Sequence, residues 1–180
     1  MTKKYELVLD DTISLWGWKL FRIRALISFG SVEVGDLGGY IQKEENLSHD
    51  DNAWVSGDAK VWGNAKVWGN AKVSGNAEVS GNAKVWGNAE VSGNAKVWGN
   101  AEVSGNAKVW ELGDIIVFKN HWSSGRHFTY TKSNKMWKVG CFYGTGQELI
   151  EKAYRDSEKS GNHYKAYVDF VESLEKLNDQ

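Results

Sequence analysis

Proline is missing altogether from these 180 residues. Because proline withdraws a backbone N–H and fixes φ, its absence excludes a proline-rich linker and suits a chain whose amides are wanted in ladders. A single cysteine, Cys141, excludes an internal disulfide framework. No apolar run reaches membrane-spanning length, and Thr2–Glu6 is too charged for a signal peptide. A cytoplasmic protein with no membrane partner is therefore expected. Charge of one sign is lacking as well: 22 Lys and Arg against 23 Asp and Glu leave a formal net charge of -1. Neither a polybasic tail nor an acidic mimic of nucleic acid is visible in the chain as a whole.

What is abundant is glycine, at 20 residues, and tryptophan, at 10. Both follow a repeat. From Asn52 to Trp110 the chain cycles every six residues through Asn/Asp-Ala-x-Val-Ser/Trp-Gly, with valine at 55, 61, 67, 73, 79, 85, 91, 97, 103 and 109. Alanine stands two positions before each valine, so Ala-x-Val-Ser/Trp alternates in the two-residue period of a strand, with Ala and Val inward. Gly-Asn supplies the corner, since these residues accept positive φ most readily. A short strand and a corner, repeated without interruption, make a coil of flat faces around a narrow Val/Ala axis.

With three hexads per turn, residues eighteen apart stack and the outward positions sort into three faces. One carries Trp54, Lys72, Glu90 and Lys108 beside Ser56, Ser74, Ser92 and Trp110. A second carries Lys60, Glu78 and Lys96 beside Trp62, Ser80 and Trp98. The third carries Lys66, Lys84 and Glu102 beside Trp68, Trp86 and Ser104. Trp62, Trp68, Trp86, Trp98 and Trp110 thus occupy positions that serine fills in the other five repeats. Packing of the axis does not require them, and each indole carries about 150–250 Å² of surface. They are candidates for protein binding or self-association, the latter giving a dimer or trimer, with Trp68 over Trp86 the densest pair.

The flanks have a different texture. Tyr5–Leu9 and Lys19–Phe29 read as strands around a turn at Asp10-Asp11-Thr12, and Ile41 and Leu47 fall in the alanine phase of two degenerate hexads. After Trp110, segments 114–119, 126–131 and 135–141 read as strands. Thr145-Gly-Gln-Glu148 is a capping box opening a first helix with Leu149, Ile150, Ala153 and Tyr154 on one face. A second helix carries Ala166, Tyr167, Phe170, Val171, Leu174 and Leu177 at helical spacing. The expected organisation is a β-rich capping module over 1–45, the repeats over 46–111, and a β-β-β-α-α module over 112–180. The fold class is mainly β.

The spacing of aliphatic and small residues, Val-x-x-x-Ala from Val55 to Ala107, resembles the hexapeptide-repeat family. That resemblance implies a left-handed parallel β-helix with three hexads per coil. Ile23-Arg-Ala-Leu, Gly35-Asp-Leu-Gly-Gly-Tyr-Ile, Glu45-Asn-Leu-Ser-His, the repeats and Gly140-Cys-Phe-Tyr-Gly-Thr together resemble hexapeptide-repeat proteins of phages and prophages. Small accessory proteins of that kind often bind a host protein, such as a component of a defence system, and inhibit or redirect it. The resemblance implies such a non-enzymatic binding scaffold here.

Enzymes of the hexapeptide-repeat type are mostly acyltransferases with a histidine base, or zinc enzymes with three histidines between subunits. The four histidines here are His49, His121, His127 and His163, none within the repeats and only His49 adjacent to them. No catalytic residue, metal site or cofactor is expected, an acyltransferase being the less favoured alternative. Cys141 reads as a structural residue of an apolar strand. One local charge concentration stands out: Lys119, Arg126, Lys132, Lys135 and Lys138, with His127 and Trp137 interleaved and no acid between Lys119 and Lys138. Positive charge beside aromatic rings is the chemistry of nucleotide or nucleic-acid binding, the first functional alternative and ahead of an acyltransferase.

Overall fold

Along an extended chain, residues two apart point the same way, so Ala-x-Val buries Ala and Val together and turns x outward. The computed structural model of the chain, which describes residues 2–180, shows this in every repeat. Each alanine from Ala53 to Ala107 and each valine from Val55 to Val109 is buried. The x-Val pairs form ten two-residue strands. These are β4 Trp54–Val55, β5 Lys60–Val61, β6 Lys66–Val67, β7 Lys72–Val73, β8 Glu78–Val79, β9 Lys84–Val85, β10 Glu90–Val91, β11 Lys96–Val97, β12 Glu102–Val103 and β13 Lys108–Val109. Before them lie β1 Tyr5–Leu15, β2 Trp18–Ala25 and β3 Leu37–Ile41. After them come β14 Ile115–Lys119, β15 His127–Thr131, β16 Met136–Val139, β17 Phe142–Thr145, α1 Gly146–Asp156 and α2 Glu158–Asn178.

Strands eighteen residues apart pair in parallel, giving a β-solenoid of three faces. The first face stacks β4, β7, β10 and β13, the second β5, β8 and β11, and the third β6, β9 and β12. From Trp54 to Ser92 each outward residue donates its amide to a carbonyl seventeen positions on, as Lys84 does to Ala101 at 2.9 Å. The corners turn at glycines with positive φ. At Gly81, φ is +67°, and a Cβ there would stand 2.9 Å from the Gly99 nitrogen, so position and conformation both require glycine. Half-exposed ion pairs cross the rungs from Lys84 to Glu102 at 3.6 Å and from Lys96 to Glu78 at 3.8 Å. Such pairs contribute at most a few tenths of a kcal/mol, whereas each fully buried valine contributes about 1.5 kcal/mol or more. The axis, not the charged columns, holds the coil.

The two ends are closed differently. At the N-terminal end β3 adds in parallel to β5, and β2 and β1 continue that sheet antiparallel. Ile41 pairs with Val61 and Leu47 bridges to Val67, both twenty residues apart, while Val55 pairs with Val73 at eighteen. Ile41 and Leu47 therefore stand in the valine column, not the alanine phase, because the corner between Leu47 and Val55 is two residues longer than its successors. Lys4 braces that corner. Its buried ammonium donates to the carbonyls of Ala53 at 2.7 Å and of Asp50 and Asp51 at 3.4 Å each. Trp54, first of its outward column, is buried beneath this module, edge-on to Phe29 and Tyr5.

The N-terminal hairpin turns at Trp16-Gly17, whose φ values are +52° and +83°, and not at Asp10-Asp11-Thr12. Those three residues lie inside β1, where the register shifts between Val8 and Thr12. The expected second strand, 19–29, ends at Ala25.

At the C-terminal end the last coil meets side-chain oxygens. Glu102 N–H donates to Thr129 Oγ1 at 3.0 Å, Lys108 N–H to Ser133 Oγ at 2.8 Å and Trp110 N–H to Asp114 Oδ2 at 2.8 Å. Ile115 and Val117 close the Val/Ala axis, and the alternate residues Ile116 and Phe118 join a second core with Phe128, Tyr130, Trp137, Leu149, Tyr164, Val168 and Val171. The C-terminal sheet has four strands rather than three, in the order β14-β15-β16-β17, and Cys141 is an exposed turn residue between β16 and β17. The capping box is present: Thr145 accepts from Glu148 N–H at 3.3 Å, and Glu148 accepts from Thr145 N–H at 2.8 Å. Of the two helical stripes, Leu149 and Ala153 on α1 and Val171 on α2 are buried, while Ala166, Phe170 and Leu177 are exposed. Gly161, Tyr164 and Val168, not marked by the sequence pattern, complete the buried face of α2.

Burial lowers the Lys4 pKa from its usual 10.5 to about 8, against the pull of Asp51 and Asp50. Between those values the unfolded chain binds a proton that the folded one has released, so this residue's contribution to stability rises with pH over that window. Lys4→Met is expected to destabilise the fold at pH 7 by about 1–3 kcal/mol, because three carbonyls lose their donor. The gap between wild type and variant should widen from pH 8 to pH 10 in denaturant titrations. A gap that stays flat or narrows would contradict this account of Lys4.

Candidate binding surface

Outward side chains on a solenoid face are held by the rung spacing, so like residues eighteen apart meet face to face. Trp68 and Trp86 do so on the third face, with ring centroids 5.0 Å apart and planes 1° from parallel. Ser104, the next rung of that column, is buried. On the second face the column runs Trp62, Ser80, Trp98, with Ser80 buried between its neighbours and Trp98 55 % exposed. Trp110 ends the first-face column at 54 % exposure. The five tryptophans are therefore divided among three faces, and only Trp68 and Trp86 stack.

The charge columns obey one rule with one exception. Lys72, Glu90 and Lys108 alternate, as do Lys60, Glu78 and Lys96. On the third face Lys66 is paired directly with Lys84, like charge on like, before Glu102. Such a pairing is unfavourable by itself. It lies two residues along the strand from the stacked indoles, so the third face joins its like-charge step to its largest ordered aromatic surface.

The C-terminal module adds to this face. The Lys138 ammonium stands 5.7 Å from the Trp86 ring centroid, within the range of a cation–π contact. Along the neighbouring corner, side chains hydrogen-bond from coil to coil, Asn64 to Asn82 at 3.3 Å and Asn82 to Asn100 at 3.2 Å. Asn100 and His127 Nδ1 continue the line at 3.1 Å. Around its end lies an open recess of about 520 Å³, lined by Lys84, Glu102, Arg126, His127, Asn82 and Asn100.

Two sets of residues that the sequence presents as rivals thus meet in part. Arg126, His127 and Lys138 border the same face as Trp68 and Trp86, and Lys119 pairs in register with His127. Lys132 and Lys135 do not join them; both are exposed at the turn between β15 and β16. Trp137, a candidate for ligand binding by its sequence, is instead 2 % exposed and sits in the second core beside Phe118 and Tyr130. Tyr130 beside it donates to Glu175, and burial first, then that carboxylate, raises the phenol pKa well above its usual value.

His49, the histidine nearest the repeats, is occupied by packing. Its ring stacks on Tyr5 at 4.2 Å, and Nδ1 accepts the Lys4 amide at 3.2 Å. Among the described residues no three His, Cys, Asp or Glu side chains are grouped to hold a metal ion, and no helix is long and apolar enough to cross a membrane. Neither a protein-family model nor a curated protein matches the sequence.

If the Lys66–Lys84 pairing is kept for binding at the expense of stability, Lys66→Glu should stabilise the fold by a few tenths of a kcal/mol at low salt. The gain should fade as salt screens it. Thermal melts at two ionic strengths measure this, and unchanged or lowered stability at low salt would refute the electrostatic reading of the face.

Proposed function

We propose that the chain is a non-enzymatic binding scaffold whose recognition surface is the third solenoid face. One observation carries the reading: the stacked Trp68–Trp86 pair lies beside the one like-charge step in the outward columns. Ordered indoles offer a large rigid contact area, the kind of group that dominates protein–protein binding energy. Lys66, Lys84 and Lys138 around them favour a partner that presents carboxylates, which would relieve the Lys66–Lys84 repulsion on docking. The coil on this reading is left-handed, in keeping with the hexapeptide resemblance. The partner is a host protein that is inhibited or redirected by being held, as the likeness to phage accessory proteins suggests.

A second reading follows from the recess at Lys84, Arg126 and His127. A nucleotide or single strand of nucleic acid would set phosphate there and a base against the indoles. The two readings separate by experiment. Trp68→Ser with Trp86→Ser is expected to leave the melting profile near wild type, since serine fills the same positions in half the repeats, and to weaken capture of an acidic host protein at least tenfold. Retained capture in the double variant overturns the proposal. Binding of a single-stranded oligonucleotide that Arg126→Glu abolishes, together with no protein capture, would establish the second reading instead.

A further inference from the structure

The turn that follows β14 is locked to α2 at two points. Asn120 is buried and donates through Nδ2 to Tyr164 Oη at 3.1 Å, while its side-chain oxygen accepts from Ser123 N–H at 2.9 Å. Two residues on, the Trp122 indole lies on the His163 ring, with centroids 4.6 Å apart and planes 16° from parallel. The indole keeps that place although its buried Nε1 finds no acceptor, a cost that a turn free to move would shed. Between these anchors stands exposed His121, its ring centroid 5.7 Å from that of half-buried His163. Two histidines far apart in the chain are thus held as a pair.

We propose that His121 and His163 bind a divalent transition-metal ion between them. A metal at about 2.0–2.1 Å from a ring nitrogen stands about 3.2 Å from that ring's centre, so two imidazoles can share one ion only when their centres lie within about 6.4 Å. At 5.7 Å the pair meets that limit. Each ring also has one nitrogen engaged by the protein. His163 Nδ1 donates to the Lys159 carbonyl at 2.8 Å, which fixes the neutral tautomer and leaves Nε2 with its lone pair. His121 Nδ1 lies 3.3 Å from Tyr167 Oη, and with the proton shared there its Nε2 is free in the same way. An oxygen behind a ligating imidazole is what orients histidines at metal centres. Among the described residues no third His, Cys, Asp or Glu joins the pair, so water completes the coordination. Two neutral nitrogens suit Cu2+, which heads the first-row divalent ions in affinity for such ligands, and not Mg2+ or Ca2+, which take oxygen. The ion would tie the turn to α2 at a third point.

Copper(II) chloride titrated into the full chain tests this, followed by calorimetry and by electron paramagnetic resonance. Wild type should bind Cu2+ saturably, one ion per chain, with superhyperfine splitting from nitrogen ligands. His121→Gln and His163→Gln should each weaken binding roughly tenfold or more with an unchanged circular dichroism spectrum. His49→Gln and His127→Gln should bind as wild type does. Absence of saturable binding in wild type overturns the proposal. So does an affinity indifferent to both His121→Gln and His163→Gln, or one lost as fully in His49→Gln or His127→Gln. His121 is exposed, so His121→Gln decides the matter even where removing the ring beneath Trp122 unsettles His163→Gln.

Discussion

The eighteen-residue backbone register governs the rest of this molecule. Once each rung donates its amides to the next, every side chain must repeat what its neighbours a coil away allow. The axis has room for valine and alanine but for little else, and from Gly57 to Gly87 each corner turns at a positive-φ glycine set against the glycine eighteen residues on. Outward, the same register turns single residues into columns. A tryptophan that would be an isolated apolar spot on an ordinary sheet becomes half of a parallel stack, and a lysine gains a directly opposed neighbour. The chemistry of the surface is a by-product of the ladder beneath it.

That amplification makes departures from the pattern meaningful. Alternating Lys and Glu is the arrangement that a soluble ladder favours, and two of the three faces keep it wherever the column is charged. The third face breaks it at Lys66 and Lys84 and places its two stacked indoles alongside. Neither feature is demanded by the core: serine serves equally well beside valine elsewhere, and glutamate occupies the equivalent charged position in three other repeats. The C-terminal module then folds back so that Lys138 and Arg126 add positive charge to the same region.

How far the sequence reveals this depends on whether a feature is local or periodic. The strands, corners and columns follow from period two within period six, so the stacking of Trp68 on Trp86 was legible by counting eighteens. The phase of Ile41 and Leu47 was not, because the longer corner after Leu47 exists only where Lys4, more than forty residues earlier, bridges its carbonyls. Asp10-Asp11-Thr12 has the composition of a turn, yet the strand runs through it with a bulge, and the reversal occurs where Trp16 and Gly17 both take positive φ. Trp137 and Lys138 are adjacent in sequence, but strand alternation sends one into a core and the other over Trp86. The Asn64-Asn82-Asn100 line was available to the same arithmetic that found the tryptophans; its end at His127 was not.

The clamps at the two ends have a consequence for how such a chain can change length. Corners recur every six residues, but faces recur every eighteen. Inserting one hexad would swing everything beyond it by a third of a turn, bringing Thr129 and Ser133 over the wrong amides and moving Lys138 off the indole column. Inserting three would return every column to its place and lift the C-terminal module about 4.8 Å further from the N-terminal one. The solenoid is a stem adjustable only in whole steps, and its present height sets how far the two end modules stand apart.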